Sequence, residues 1–341
     1  MTIAVAEQQV RPPIARRQER IADDPGITMP LRAWRLLGQS EPMQKLRSSI
    51  EKVTRLRVSV LIAGESGTGK ELVAAEIHAR SGRPGAFVPL NCAAIPESLF
   101  ASELFGHEKG SFTGATRQHQ GHFERSHGGT IFLDEVTEMP LPLQATLLRI
   151  LETGSVARVG GEAEMPLDIR VVASTNRDVL ECVKAGTFRA DLYYRLNEFF
   201  VAVPPLRMRG DDVILLAETF VAELNERHGT RRRLATEGLR KLREYSWPGN
   251  VRELRHAIQR SFVLADTDDA QLTISRVLGQ DPSNLLLRPG LSIEQMERRL
   301  IDITMEHFRG DKKRSAEALG ISVRTLYNRL HDYQRAPADG F

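Results

Sequence analysis

The stretch Val58-Ser59-Val60-Leu61-Ile62-Ala63-Gly64-Glu65-Ser66-Gly67-Thr68-Gly69-Lys70-Glu71 decides the fold. Its first six residues, V-S-V-L-I-A, read as a buried strand. G-E-S-G-T-G-K (64–70) then matches G-x-x-x-x-G-K, and E-L-V-A-A-E-I-H-A-R (71–80) reads as a helix. Strand, Gly-rich turn and helix in that order is the context a phosphate-binding loop requires. Glycines let backbone N–H groups turn toward phosphate oxygens, and the positive end of the helix adds to them. The candidate nucleotide-binding residues are Gly64, Glu65, Ser66, Gly67, Thr68, Gly69, Lys70 and Glu71, with Lys70 reaching the β/γ-phosphates. A Gly-rich turn without a ligand is the alternative. Glu71 stands where a magnesium-ligating Ser or Thr usually stands, so another group or water must complete the metal's shell.

Outward from this stretch, M-Q-K-L-R-S-S-I-E-K-V repeats Met43, Leu46, Ile50 and Val53 at helical intervals. Further short apolar strands are A-F-V-P-L (86–90), T-I-F-L-D (130–134) and I-R-V-V-A-S (169–174), with helical patterns between them. Strands alternating with helices predict an α/β fold, a doubly wound, mostly parallel sheet covered on both faces. Beyond Pro205 strand signals stop, and residues from about 211 to 265 read as helices, which suits a small helical lid.

T-I-F-L-D-E delivers Asp134 and Glu135 to the C-terminal end of a strand, where such sheets bind ligands. Asp134 is the candidate magnesium ligand, and Glu135 would orient and polarise the attacking water. Two acids closing a strand can also be a solvated cap. Asn176, at the end of I-R-V-V-A-S-T-N, could bridge water and the γ-phosphate.

The chain has 341 residues, room for two or three domains, and 41% hydrophobic with 27% charged residues suits a globular protein. A net charge of +3 points only weakly to nucleic acid. Cys92 and Cys182 form no metal spacing and no disulfide framework, which fits a reducing, cytoplasmic setting. No apolar run approaches the roughly 18 residues of a membrane span, so no membrane partner is expected. His107, His119, His122 and His127 lack metal-ligand spacing.

Near the C-terminus, S-I-E-Q-M-E-R-R-L-I-D-I-T-M-E-H-F reads as an amphipathic helix. D-K-K-R-S-A-E-A-L-G-I-S-V-R-T-L-Y-N-R-L follows with the pattern of a helix-turn-helix. Ser322 would cap the second helix, and Leu326 and Leu330 would face its core. Arg324, Thr325, Asn328 and Arg329 then point into the major groove of double-stranded DNA, while Lys312, Lys313 and Arg314 meet phosphates. A three-helix interaction module with a solvated basic face is the alternative.

Five ordered motifs, G-E-S-G-T-G-K-E, G-S-F-T-G-A, G-G-T-I-F-L-D-E, F-R-A-D-L-Y-Y-R-L-N and W-P-G-N-V-R-E-L, resemble AAA+ ATPases and, within them, the bacterial sigma-54-dependent transcriptional activators. The resemblance runs from about residue 36 to 265, and the C-terminus resembles a Fis-type DNA-binding domain. It implies ATP and Mg2+ as cofactors and a Glu after the loop lysine, as found at Glu71. It implies that Gly110, Ser111, Phe112, Thr113, Gly114 and Ala115 form a loop contacting the sigma factor of sigma-54 RNA polymerase. The usual form is G-A-F-T-G-A, so Ser111 replaces an alanine, and Phe112 and Thr113 are the contact pair. Without the family, Phe112 folded into the core is an equal reading.

In related activators the segment holding Arg189 and Arg195 supplies arginines to the neighbouring subunit's nucleotide, which implies a hexameric ring. By spacing alone, surface ion pairs are the simpler reading of both. Arg252 resembles a sensor arginine, Asn91 resembles the residue that switches the catalytic Glu, and Arg158 lies at a supporting second loop.

The expected domains are a mobile tail (1–33), an α/β ATPase core (34–206), a helical lid (207–275), a linker (276–290), a helix-turn-helix domain (291–335) and a short tail (336–341). Only about 35 residues precede the core, where many relatives carry a folded sensor. Control is therefore expected from a separate regulatory protein, expression level or the tail. The expected function is ATP-driven remodelling of sigma-54 RNA polymerase from upstream DNA. The rivals are a DNA-bound, nucleotide-binding scaffold or repressor, and an AAA+ remodeller of another target.

Overall fold

The computed structural model describes residues 36–265 and 267–272 and, near the C-terminus, 297, 298, 300–302, 304, 305, 308 and 310–335. The expected N-terminal tail (1–33), linker (276–290) and C-terminal tail (336–341) lie outside the described residues. The chain divides into two compact units between Ser275 and Arg276.

The first unit opens with α1 (Glu41–Thr54), β1 (Val60–Ala63), α2 (Lys70–Ser81), β2 (Phe87–Asn91) and α3 (Glu97–Phe105). Then come β3 (Gly106–His107), β4 (His119–Gln120), α4 (His122–Arg125), β5 (Thr130–Asp134) and α5 (Leu141–Thr153). β6 (Ser155–Ala157), β7 (Glu164–Pro166), β8 (Arg170–Thr175), α6 (Val179–Lys184), α7 (Ala190–Leu196) and β9 (Phe199–Ala202) complete the α/β part. The lid holds α8 (Asp212–His228), β10 (Arg233–Leu234), α9 (Thr236–Glu244), α10 (Asn250–Val263) and β11 (Gln271–Leu272).

Five strands form one parallel sheet in the order β2-β5-β8-β1-β9. Side chains alternate across a strand, and the core follows that period. Leu61, Ile131, Leu133, Val171 and Ala173 pack on one face against Phe100, Leu104, Leu147 and Leu192. Val60, Ile62, Phe132, Val172 and Val201 pack on the other against Met43, Leu46, Ile50, Val53, Val73 and Ile77. The sheet is thus covered on both faces, as the sequence predicts. β8 is buried at all its positions because it sits mid-sheet under both layers. The order places β5, β8 and β1 side by side, so three chemistry-bearing strand ends meet at one edge.

One expectation needs correcting. Strand structure does not stop at Pro205, since Arg233–Leu234 pairs in parallel with Gln271–Leu272. Two-residue strands carry no periodic signal; chain segments far apart create them by meeting.

The second unit is helical at every described position from 297 to 305 and continues with α11 (Lys312–Ala318) and α12 (Val323–Arg335). Its core joins Ile301, Ala316 and Leu326, with Leu319 and Leu330 packed alongside. Among the described residues no helix is long and apolar enough to cross a membrane.

Candidate nucleotide site and partner-facing loop

Lys70 begins α2, where Gly69 at φ +100° turns the chain from loop to helix. The lysine is buried, and its ammonium donates to Glu135 Oε1 at 3.1 Å and to the Gly64 carbonyl at 3.0 Å. Glu135 follows β5 in the left-handed region, at φ +52°, a conformation that costs a non-glycine residue energy. That turn sends its carboxylate sideways, so that Oε2 accepts the Asn176 N–H at 2.9 Å. Groups from the ends of β1, β5 and β8 therefore converge on one carboxylate. Asn176 contributes its backbone N–H here, and its side chain is exposed.

Asp134 accepts a hydrogen bond from the Ser174 hydroxyl. Burial and the nearby Asp134 raise the pKa of Glu71, against the opposing pull of Arg252. Burial and then Asp134, Glu135 and Glu138 push the Cys92 thiol up to about 12. Negative charge is concentrated at these strand ends, and hard carboxylate oxygens suit a hard divalent cation. Among the described residues no cluster of His, Cys, Asp and Glu completes a metal site alone. Asp134 and Glu135, at the end of β5, offer the one or two carboxylates through which magnesium is usually held beside water and phosphate oxygens.

The lid closes on the phosphate loop. Gly67 has φ +77°, and a Cβ there would lie 2.4 Å from the Gly249 carbonyl oxygen, so glycine is required twice over. Its carbonyl accepts the Val251 and Arg252 N–H groups at 3.0 and 3.3 Å. Asn250, fully buried at φ +53°, donates to Glu65 Oε2 and to the Ser66 carbonyl, both at 3.1 Å, and accepts the Leu206 N–H at 2.8 Å. Arg207 forks onto both Glu65 oxygens at 2.8 and 2.6 Å. The Arg207 and Asn250 hydrogen bonds hold the Glu65 pKa down to about 2. Arg209, 2% exposed, donates to the Thr68 and Pro204 carbonyls at 2.8 Å, and burial draws its pKa down to about 10. Arg252 reaches the Ser66 hydroxyl at 3.0 Å. Sequence reasoning found Arg252 but missed Arg207, Arg209 and Asn250; R-M-R and G-N-V-R show basic and turn residues but not what they hold.

Between β3 and β4 lies the loop Gly110–Ala115. Gly110 and Gly114 have φ +84° and +108°, and the Gly110 N–H donates to the Ala115 carbonyl at 2.8 Å, closing the loop. Phe112 is 41% exposed, and its ring meets His107 at 4.9 Å, nearly edge-on. Thr113 is exposed. Ser111 packs against Gly160 of the β6–β7 hairpin, and its buried hydroxyl has no partner among the described residues. The Glu108 N–H bonds the Val159 carbonyl at 3.1 Å, and Arg158 pairs with Glu124 at 2.7 Å and Glu108 at 2.8 Å. The two loops are therefore joined, and Glu108 and Glu124 are functional candidates that sequence reasoning missed.

The chain matches the sigma-54 interaction domain over residues 36–202, the AAA+ ATPase lid domain over 207–278 and the Fis-family bacterial regulatory protein domain over 292–333. Crystal structures of NtrX from Brucella abortus are similar, with 34% identity, a TM-score of 0.69, and coverage of 89% of this chain and 69% of that one. The chain belongs to the sigma-54-dependent transcriptional activators. Among curated relatives, the nitrogen fixation protein AnfA of Azotobacter vinelandii is 44% identical over 307 residues, covering 87% of this chain and 57% of its own. The anaerobic nitric oxide reductase transcription regulator NorR of Salmonella paratyphi C is 51% identical over 250 residues, covering 73% and 49%. The chain thus spans about half the length of these relatives. A further NtrX structure, also 34% identical, is in complex with ATP.

The remaining candidate residues of the activator occupy simpler positions. Arg189 forks onto Asp191 at 3.0 and 2.6 Å, and Arg195 bonds Glu198 Oε1 and the Leu151 carbonyl at 2.8 Å. Both are exposed, each paired within its own chain. Asn91 sits beside Asp134 in the strand register, but its side chain accepts the Ala93 N–H at 2.9 Å, and no described hydrogen bond joins it to Glu135. In the C-terminal unit Ser322 accepts the Thr325 N–H at 3.0 Å, and Leu326 is fully buried. Arg324, Thr325, Asn328 and Arg329 lie exposed on α12. Lys313 and Arg314 are exposed too, while Lys312 lies over the Tyr327 ring at 4.1 Å. Arg329 pairs with Glu297 at 3.0 Å, which a DNA contact would have to displace.

Proposed function

We propose that this activator is a cytosolic ATPase that binds upstream DNA through its helix-turn-helix and, as a hexameric ring, remodels sigma-54 RNA polymerase for promoter opening. The observation that supports this best is the meeting of Lys70, Glu135 and the Asn176 N–H at one carboxylate, in a unit that also carries an exposed Phe112 loop. Residues 34–206 form the ATPase core, 207–275 the lid and 291–335 the DNA-binding domain.

Lys70 exchanges its bond to Glu135 for the β/γ-phosphates of ATP, and Glu135 is then free to orient the attacking water and accept its proton. Asp134 would hold magnesium, directly or through water, and the ion would supply charge neutralisation on the phosphate oxygens. Arg252 moves from Ser66 to the nucleotide. Arg189 and Arg195 leave their local carboxylates for the neighbouring subunit's γ-phosphate. Phe112 and Thr113 contact the sigma factor, and Arg158 supports them. Arg324, Thr325, Asn328 and Arg329 read bases, while Lys312, Lys313 and Arg314 meet phosphates.

Two variants test this reading. Glu135→Gln should lower kcat for ATP hydrolysis about a hundredfold or more while nucleotide still binds. Phe112→Ala should keep hydrolysis and lose sigma-54 binding. A Glu135→Gln protein that still opens promoters would instead establish a DNA-bound scaffold.

A further inference from the structure

Behind the phosphate loop sits a charge outside every motif read in the sequence. Arg209 closes the helical turn Leu206–Met208 where the α/β part gives way to the lid. Its N–H bonds the Leu206 carbonyl at 2.9 Å, and its carbonyl accepts the Asp212 N–H at 3.1 Å. The side chain turns inward and is almost fully buried, a place arginine seldom takes because its charge must leave water. Burial draws its pKa down to about 10, with Asp212 opposing the shift. The described hydrogen bonds of this guanidinium go to main-chain carbonyls. Nε and Nη2 donate to Pro204 at 2.9 and 2.8 Å, and Nη2 donates to Thr68, 141 positions away, at 2.8 Å. The Thr68 carbonyl is the informative partner. A trans peptide is planar, and its C=O and the following N–H point in opposite directions. A guanidinium held on the Thr68 oxygen therefore turns the Gly69 N–H away from Arg209. Thr68 is buried, and its hydroxyl donates to the Glu65 carbonyl at 2.7 Å, whereas Gly69 is partly exposed. Gly69 is the N-cap of α2, whose first N–H groups have no acceptor within the helix. Gly67 and Gly69, at φ +77° and +100°, supply the left-handed turns by which successive N–H groups converge on an anion.

We propose that Arg209 is a positioning residue for the phosphates of the nucleotide: it fixes the Thr68–Gly69 peptide so that the Gly69 N–H faces them, and strengthens that N–H as a donor. The first effect is geometric. Without the guanidinium the peptide can rotate, and the cradle loses one N–H aimed at the ligand. The second is electrostatic. A cation on the Thr68 oxygen draws electron density toward it, and hydrogen bonds in such a chain reinforce one another where water is excluded. The burial of the charge is then accounted for by what it does to the loop, since the lid junction could be closed by an apolar side chain of similar length. The inference rests on the reading of residues 64–71 as the nucleotide site.

The test uses the full chain and two variants. Arg209→Met keeps the stem and drops the charge; Arg209→Lys keeps the charge but cannot fork across both carbonyls. Dissociation constants are measured for ATP, for tripolyphosphate, which is phosphate alone, and for adenosine, which has none, with ATPase KM and kcat alongside. Arg209→Met should bind ATP and tripolyphosphate roughly ten- to a hundredfold more weakly, the worth of a hydrogen bond to a charged group, while adenosine stays within about twofold of the parent. KM for ATP should rise with the dissociation constant and kcat should fall by less, and Arg209→Lys should recover part of the loss. A side chain that only holds the lid against the core would weaken all three ligands by one factor. That pattern overturns the inference, and so does unchanged ATP affinity in a folded Arg209→Met protein. Should Arg209→Met fail to fold, Arg209→Lys decides: tripolyphosphate affinity falls by roughly threefold or more with adenosine retained, or the inference is wrong. If the parent itself binds neither ATP nor tripolyphosphate, the assigned nucleotide site fails and the inference goes with it.

Discussion

Ser111 marks the point where this chain departs from the usual form of its loop, and its environment says what the extra oxygen does. The hydroxyl is buried without a partner, and the side chain abuts Gly160, where an added Cβ would lie 2.5 Å from the Ser111 Cβ. An unpaired buried hydroxyl destabilises by about 1–3 kcal/mol, and an alanine would fill the same space without it. Ser111→Ala should therefore raise the unfolding midpoint of the first unit by a few degrees in a thermal melt. Lys70, Asp134 and Glu135 were legible as residues because each belongs to a short motif whose spacing has a chemical reason. Asn250 was not: its importance lies in a left-handed backbone and in Glu65, 185 positions away. Arg189 and Arg195 form the exposed ion pairs that the simpler of their two sequence readings describes.

At the scale of elements, two helices carry histidines whose titration opposes folding in acid. His78 of α2 faces the Thr130 hydroxyl at 2.9 Å, and burial, then Arg83 and Arg170, lower its pKa. His122 of α4 donates from Nδ1 to the Glu103 carbonyl at 2.8 Å, and burial lowers its pKa despite that bond. Both folded values lie below the roughly 6.5 of an unfolded histidine, so below that pH the unfolded chain binds protons first. Their contribution is complete above about pH 6.5 and is lost as pH falls toward the folded values. The melting midpoint should drop between pH 7.5 and 5.5, and less steeply in a His78→Gln, His122→Gln double variant. In the C-terminal unit, Asp311 caps α11 by accepting the Lys313 and Arg314 N–H groups at 3.0 and 3.1 Å. Asp311→Ala should destabilise that unit by about 1 kcal/mol, seen as an earlier chemical-denaturation midpoint. The helices were readable from their periodicity, and the two-residue strands were not, because strands this short leave no pattern.

For the whole molecule, the candidate site is built from segments distant in sequence, and the proposed ring adds a further distance. Arg189 and Arg195 are exposed and pair with Asp191 and Glu198 of their own chain. If they serve a neighbouring nucleotide, ATPase activity per chain should rise with protein concentration and level off once rings form. A specific activity independent of concentration in the dilute range would rule out a shared site. The parallel, doubly covered sheet was legible because β1, β5 and β8 each alternate apolar residues between its two faces. The strand order was not, since hydrophobic alternation is the same for any permutation of strands.

The sequence by itself determined where the candidate chemistry lies: a strand, loop and helix that present Lys70, a strand closing on Asp134 and Glu135, and a turn between two helices capped by Ser322. These are local consequences of backbone conformation and side-chain type, complete within a dozen residues. Only the tertiary structure decided that β8 separates the two nucleotide-site strands, that Arg207 and Glu65 meet across 142 positions, and that His107 underlies Phe112. Such meetings depend on how the chain closes on itself, and no local pattern records which of many compatible surfaces will be buried together.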